Sequence, residues 1–157
     1  MMKKCMLLLP VAISALTMIG CVSVPPAQRE ADRRERMVTM PMNPDMRERQ
    51  YLPDVASVLE DADFSPVIDG GVPNQLEFDI DEGPINTVVT ARLIRRGQVF
   101  ASAEGRDGGP KSLIDRAGVV RSAVHRCLRD FEDQLSRASE WESGRAGYAA
   151  SQPGYYR

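Results

Sequence analysis

The residues of this chain that could do acid–base or nucleophilic chemistry are few, and two of them fall on one predicted helix. His125 is the single histidine, which excludes a two-histidine zinc helix and leaves any serine triad dependent on this imidazole. Cys127 follows two positions later and points about 160° away around the helix, a poor geometry for a nucleophile and its base. His125 reads more simply as a boundary residue beside Arg121 and Arg129, and Cys127 as a small core residue. The loop from Gly105 to Ser112 joins a predicted strand to a helix and ends in Lys111-Ser112, as a phosphate-binding loop does. Pro110, however, stands where backbone amides must approach the phosphate, and it has no N–H to give. A tight turn and a helix cap account for the same residues. The acidic run Asp79-Ile80-Asp81-Glu82 has the alternation of a strand's wet face and lacks the spacing of a calcium loop. No catalytic residue, metal ligand or cofactor is predicted.

A different chemistry is written at the start. Lys3 and Lys4 precede an apolar run from Met6 to Ile19 and then Gly20-Cys21, the order of an export signal. Pro10 and the shortness of the run argue against a spanning helix. The stretch Met18-Ile19-Gly20-Cys21 resembles the lipobox of bacterial lipoproteins. That resemblance implies a signal peptide over residues 1–20, cleavage before Cys21, a diacylglyceryl group on its sulfur and a further acyl chain such as palmitate on its amine. Each buried methylene contributes about 0.8 kcal/mol, so several chains hold the protein stably on its membrane. Val22 and Ser23 follow the cysteine where an aspartate would favour inner-membrane retention, so the expectation is the outer membrane, facing the periplasm.

The balance of the chain narrows its partners. Its formal charge is −2, and cleavage after residue 20 removes Lys3 and Lys4 to leave −4. A nucleic-acid footprint needs a basic patch or stripe, so no nucleic-acid partner is expected. Cys5 departs with the signal and Cys21 carries lipid, which leaves Cys127 alone and excludes an intramolecular disulfide. The 157 residues suffice for one domain with tails.

Periodicity places that domain at 51–138. Residues 21–50 are proline-containing and charged, the composition of a flexible tether, and residues 139–157 read as a disordered tail. Between them, Asp54 caps a predicted short helix with Val55, Val58, Leu59 and Ala62 on one face. Extended runs follow at 64–69, 75–82, 87–95 and 98–104, the last two joined by Arg96-Gly97 as a hairpin. With Arg95 opposite Gln98, Leu93 faces Phe100 and Ala91 faces Ser102. Val88, Arg92, Ile94, Val99 and Ala101 then share the other side. Ser112 and Asp115 fit a capping box for a long helix whose stripe is Leu113, Ala117, Val120, Val124, Cys127, Leu128, Phe131 and Leu135.

The expected fold is α+β: a small antiparallel sheet of three to four strands packed by a long C-terminal helix and a short N-terminal helix. In element order this is similar to compact domains of envelope-accessory lipoproteins, including the amino-terminal domain of the Tol periplasmic protein and curli-secretion lipoproteins. The resemblance implies a non-enzymatic, membrane-anchored accessory or assembly factor that binds a protein of the cell envelope. The competing expectations are an envelope hydrolase or transferase and a lipid-transport auxiliary lipoprotein. The face shared by Val88, Arg92, Ile94 and Val99 is the expected partner-binding surface, as contiguous exposed apolar surface usually marks a contact.

Overall fold

Leu76, Phe78 and Ile80 are buried while Glu77, Asp79 and Asp81 between them are exposed, and this alternation sets the two faces of the whole sheet. The computed structural model describes residues 25–68 and 70–150, with side chains to residue 141. Within them the order is α1 (Pro26–Arg36), β1 (Met37–Thr39), α2 (Met46–Asp61), β2 (Ser65–Val67), β3 (Asn74–Glu82), β4 (Asn86–Arg95), β5 (Gln98–Gly108), a 3₁₀ turn (Pro110–Leu113) and α3 (Arg116–Ala150). The class is α+β. The sheet, however, has five strands and is mixed, in the order β2-β1-β3-β4-β5, where a three- to four-stranded antiparallel sheet was expected. The difference is β1, parallel to both β2 and β3.

The segment expected as a tether thus enters the fold. Val38 is fully buried and Thr39 nearly so, because β1 lies inside the sheet. Three residues between charged segments are too few to show a period. Before β1, Pro26 presets the first turn of α1, and Arg33, Arg34 and Arg36 in the last turn suit its negative end. α1 buries none of its residues, and an isolated helix of this length is marginal in water. Its C-terminus is instead fastened by Asn74, whose Nδ2 donates to the carbonyls of Glu35 (2.6 Å) and Met37 (2.9 Å).

α2 begins eight residues before the expected start at Asp54. Asp45 caps it by accepting from the amides of Arg47 and Glu48, both at 2.7 Å, while Glu48 accepts from the Asp45 amide at 2.8 Å. Pro53 reads as a breaker in the sequence, yet it lies exposed inside the helix. Two well-packed turns follow it, and the burial of Val55 and Leu59 offsets the backbone bond that proline forfeits. The helix ends at Asp61 with Ala62 as its cap, and just beyond it Asp63, with a φ of 65°, lets the Phe64 amide reach the Leu59 carbonyl at 2.9 Å while its own amide reaches Glu60 at 3.0 Å.

The hairpin turn has positive φ at both Arg96 (53°) and Gly97 (78°), the twist that two-residue hairpins require. Arg95 pairs with Gln98 as expected, but the register slips between Leu93 and Ile94, so Leu93 faces Ala101 and Ala91 faces Ala103. Phe100 is the extra residue of a bulge. It turns to the helices, where its ring meets Phe64 edge to face with centroids 6.0 Å apart. Ala101 is therefore buried and Ser102 exposed, the reverse of the expected sides.

α2 and α3 cover the same face and share one core of Leu59, Val55, Val124, Cys127, Phe131 and Leu135 with the β3–β5 side chains. α3 lies against a floor of small residues. A Cβ on Gly105 would come 2.1 Å from the Ala123 carbonyl and 2.5 Å from the Cys127 amide, so β5 approaches the helix backbone more closely than alanine would permit. The start of α3 is later than expected. Asp115 caps it, accepting from Gly118 N at 2.9 Å; Leu113 is exposed because it belongs to the 3₁₀ turn and not to α3, and Ala117, in the first turn of α3, is exposed as well. At the other end the backbone stays helical to Ala150, where a disordered tail was expected from residue 139. Extending an established helix fixes one residue per hydrogen bond and needs no new nucleus. Residues 151–157 lie outside the described residues.

Candidate functional site

The sheet face turned away from the helices is built in four tiers by strand register. Gln75 stands beside Ile94 and Val99, Glu77 beside Arg92 and Ser102, Asp79 beside Thr90 and Glu104, and Asp81 beside Val88 and Arg106. The predicted contact residues Val88, Arg92, Ile94 and Val99 thus share one face. Arg92 and Val99 are exposed, and Val88 and Ile94 are half-buried. Ala101, expected with them, belongs to the core. The face is consequently less apolar than the sequence implied: a Glu77–Arg92 pair at 3.8 Å lies between its two apolar tiers, and a Glu104–Arg106 pair reaches from the Thr90 tier into the Val88 tier.

Carboxylates on the two faces are treated differently. Glu82, on the covered side at the end of β3, is clamped by Arg47 of α2 and by Arg116 of α3, the latter at 2.8 Å. Arg116 Nη2 also donates to the Gly83 carbonyl at 2.9 Å, so one contact ties both helix starts to the β3–β4 turn. Asp107, with its side chain only 7% exposed, lies at the end of β5. Its carboxyl is lowered from 3.8 to about 2, first by the Ser122 hydroxyl, then by the Gly108 amide and by Lys111.

The Lys-Ser loop is part of this same construction. Ser112 is buried and its hydroxyl donates toward the carbonyls of Gly109 (2.7 Å) and Ile85 (3.2 Å). The amides of Gly108, Gly109 and Ser112 go to Asp107 Oδ1, the Ile85 carbonyl and the Gly109 carbonyl. Amides that would have to cradle a phosphate are thus spent inside the loop. Beside it, Ile85, Leu113 and Ile114 are 58%, 75% and 91% exposed. Sequence reasoning missed this apolar tip because it assigned Leu113 to the buried stripe.

Cys127 is a core residue, as its position in the stripe suggests. It is fully buried, its Sγ lies 3.5 Å from the Ala103 carbonyl, and burial pushes the thiol up to about 11, far from the thiolate that nucleophilic chemistry needs. His125 is exposed on the outer side of α3. At the hairpin end, a cleft of about 580 Å³ is lined by Asp32, Glu35, Asp61, Asp63, Phe64 and Phe100. Its acids are partly engaged: Glu35 bonds Arg95 at 3.0 Å and also Arg96, and Asp63 pairs with Arg36 at 3.5 Å. Among the described residues no three metal-ligating side chains are grouped, and no helix is long and apolar enough to cross a membrane. Cys21 lies outside the described residues.

These features define a class: a two-layer α+β domain with α2 and α3 on one face of a mixed sheet and, among the described residues, the other face open. No known protein family matches the chain, and no curated protein matches it either.

Proposed function

We propose that this chain is a lipid-anchored, periplasm-facing protein of the bacterial outer membrane whose domain binds another envelope protein through its open sheet face and catalyses no reaction. One observation carries the binding part of this reading: Val88, Ile94 and Val99 lie with Arg92 on a face that neither α2 nor α3 packs against. Apolar side chains interleaved with complementary charges give both area to bury and a register to read. Burial of Cys127 supports the non-enzymatic part, since it pushes up the pKa of the one thiol among the described residues and so keeps it protonated near neutral pH. The anchor rests on the lipobox-like Met18–Cys21 and on the exposed, arginine-rich α1 that follows it as a spacer.

Two experiments test the halves separately. Metabolic labelling with a fatty acid should mark the wild-type chain and not Cys21→Ser; label retained by the variant would refute the anchor. Crosslinking in cells should capture one protein with the wild type and with Ala117→Asp, an exposed change on α3, and lose it with Ile94→Asp. Equal capture by all three chains would refute the open face as the contact.

A further inference from the structure

The sheet ends in two very different edges. β2 has three residues and includes Pro66, which has no N–H to offer, so that edge is blunted. β5 runs for eleven residues without proline and, among the described residues, is paired only on its β4 side. The two-residue turn makes Arg95 and Gln98 a bonded pair, and past the bulge Ala101, Ala103, Gly105 and Asp107 take the inward position opposite β4. Ser102, Glu104 and Arg106 therefore aim their backbone groups outward from the sheet. Arg126 of α3 already donates to the Arg106 carbonyl at 2.8 Å, as expected of a carbonyl directed away from β4.

The charge order along this edge is self-complementary. An antiparallel copy of β5 placed with Gly105 on the two-fold axis sets each Glu104 opposite the partner copy's Arg106, and each Ser102 opposite the partner copy's Gly108. Sliding the strands by one bonded step puts either Glu104 opposite Glu104 or Arg106 opposite Arg106, which is repulsive. Both charges sit on the open face, clear of α3, and the residue on the axis is a glycine whose missing side chain faces the helix. Of the registers centred on Glu104, Gly105 and Arg106, only the one centred on Gly105 avoids like charges, and in it the Arg106 carbonyl and the Gly108 amide exchange Arg126 and Asp107 for the partner strand.

We infer that β5 is a self-association edge: two copies of this chain pair antiparallel about Gly105, forming one ten-stranded sheet with both open faces on the same side. This does not depend on what binds the open face. The contact is isologous, so it closes as a dimer and does not propagate.

Charge exchange between differently tagged copies tests it, with full chains made together in cells and solubilised from the membrane in mild detergent. Wild-type copies should co-purify. Glu104→Arg alone and Arg106→Glu alone should each lose self-association roughly tenfold, because both cross-strand pairs of residues 104 and 106 become like-charged. Mixed together, those two variants should recover it, since each supplies the charge the other lacks. Independently of charge, Glu104→Cys should crosslink to itself through a short bismaleimide while Thr90→Cys, one strand inward on the same face, should not. Wild-type copies that fail to co-purify, single variants that associate as the wild type does, a mixture that recovers nothing, or equal crosslinking at both positions would each overturn the assignment.

Discussion

The two faces of the sheet follow the same alternation and are built from opposite materials. Under α3 the strands contribute Ala91, Ala101, Ala103 and Gly105, and the helix supplies the bulk with Val124, Phe131 and Leu135. Small strand residues let the helix come close, and large helical ones fill the space between it and β3. On the other face the same strands carry Glu77, Arg92, Glu104 and Arg106, which remain in water. One face is constrained by volume and the other only by solubility and whatever it touches, so neighbouring residues in sequence should respond to the same change in opposite ways.

Leu93 and Ile94 give the sharpest contrast. Leu93 is fully buried and Ile94 half-exposed on the opposite side. Leu93→Asp places an unpaired carboxylate in the core and should cost several kcal/mol, enough to leave the domain unfolded at room temperature. Ile94→Asp should cost about 1 kcal/mol or less. Urea denaturation of both variants decides it, and similar midpoints would mean that the faces are not distinguished as described. The next effect is Gly105→Ala, whose new Cβ meets the backbone of α3. The helix or β5 must move, at a cost of about 3 kcal/mol. Gly70→Ala, with nothing within 4 Å, should stay within about 0.5 kcal/mol of the wild type.

How far the sequence reveals this molecule depends on the length over which each pattern repeats. The β3 alternation and the stripe from Val120 to Leu135 are long enough to identify both the element and its buried face. β1 has three residues, and its place in the sheet is fixed by Asn74 holding the carbonyls of Glu35 and Met37, contacts 39 and 37 residues apart in sequence. No local pattern announces those. The capping box of Asp45 and Glu48 is legible, but Pro53 hides the helix it starts, since its breaking effect is local and the burial of Val55 and Leu59 is tertiary. The bulge at Phe100 follows from the ring finding Phe64, a contact with no sequence signal, and it moved Ala101 from the expected contact face into the core. The residues of that face on β4, where no bulge intervenes, fell on the side their alternation required.

Asp107 tests the covered face through pH. Its carboxyl is held at about 2 against an ordinary 3.8, so the folded state favours the charged form. A lowered pKa contributes stability that is fully present above the unfolded value and is lost as pH falls through the folded one. The stability gap between wild type and Asp107→Asn should therefore be constant from about pH 7 down to about pH 5 and close between about pH 4 and pH 2. Denaturation midpoints across that range measure it. A gap unchanged at pH 2 would mean that the Ser122, Gly108 and Lys111 contacts do not discriminate the charged carboxylate.

The smallest expected stability change belongs to Arg92, and it separates structure from use most cleanly. Arg92 stands 3.8 Å from Glu77 with both side chains about half exposed, at 51% and 49%, and such pairs contribute about 0–1 kcal/mol. Arg92→Ala should therefore leave the unfolding midpoint almost unmoved. If the open face is solvated and nothing more, its consequence ends there. If the face binds a partner, the same substitution removes a charge at the centre of the contact, between the apolar tiers of Ile94 and Val88, and should lower capture of that partner while Lys111→Ala, away from this face, lowers it little. Unchanged stability with unchanged capture would assign Arg92 to solubility, and the contact would then have to lie elsewhere on the molecule, with the exposed tip of Ile85, Leu113 and Ile114 the next surface to alter.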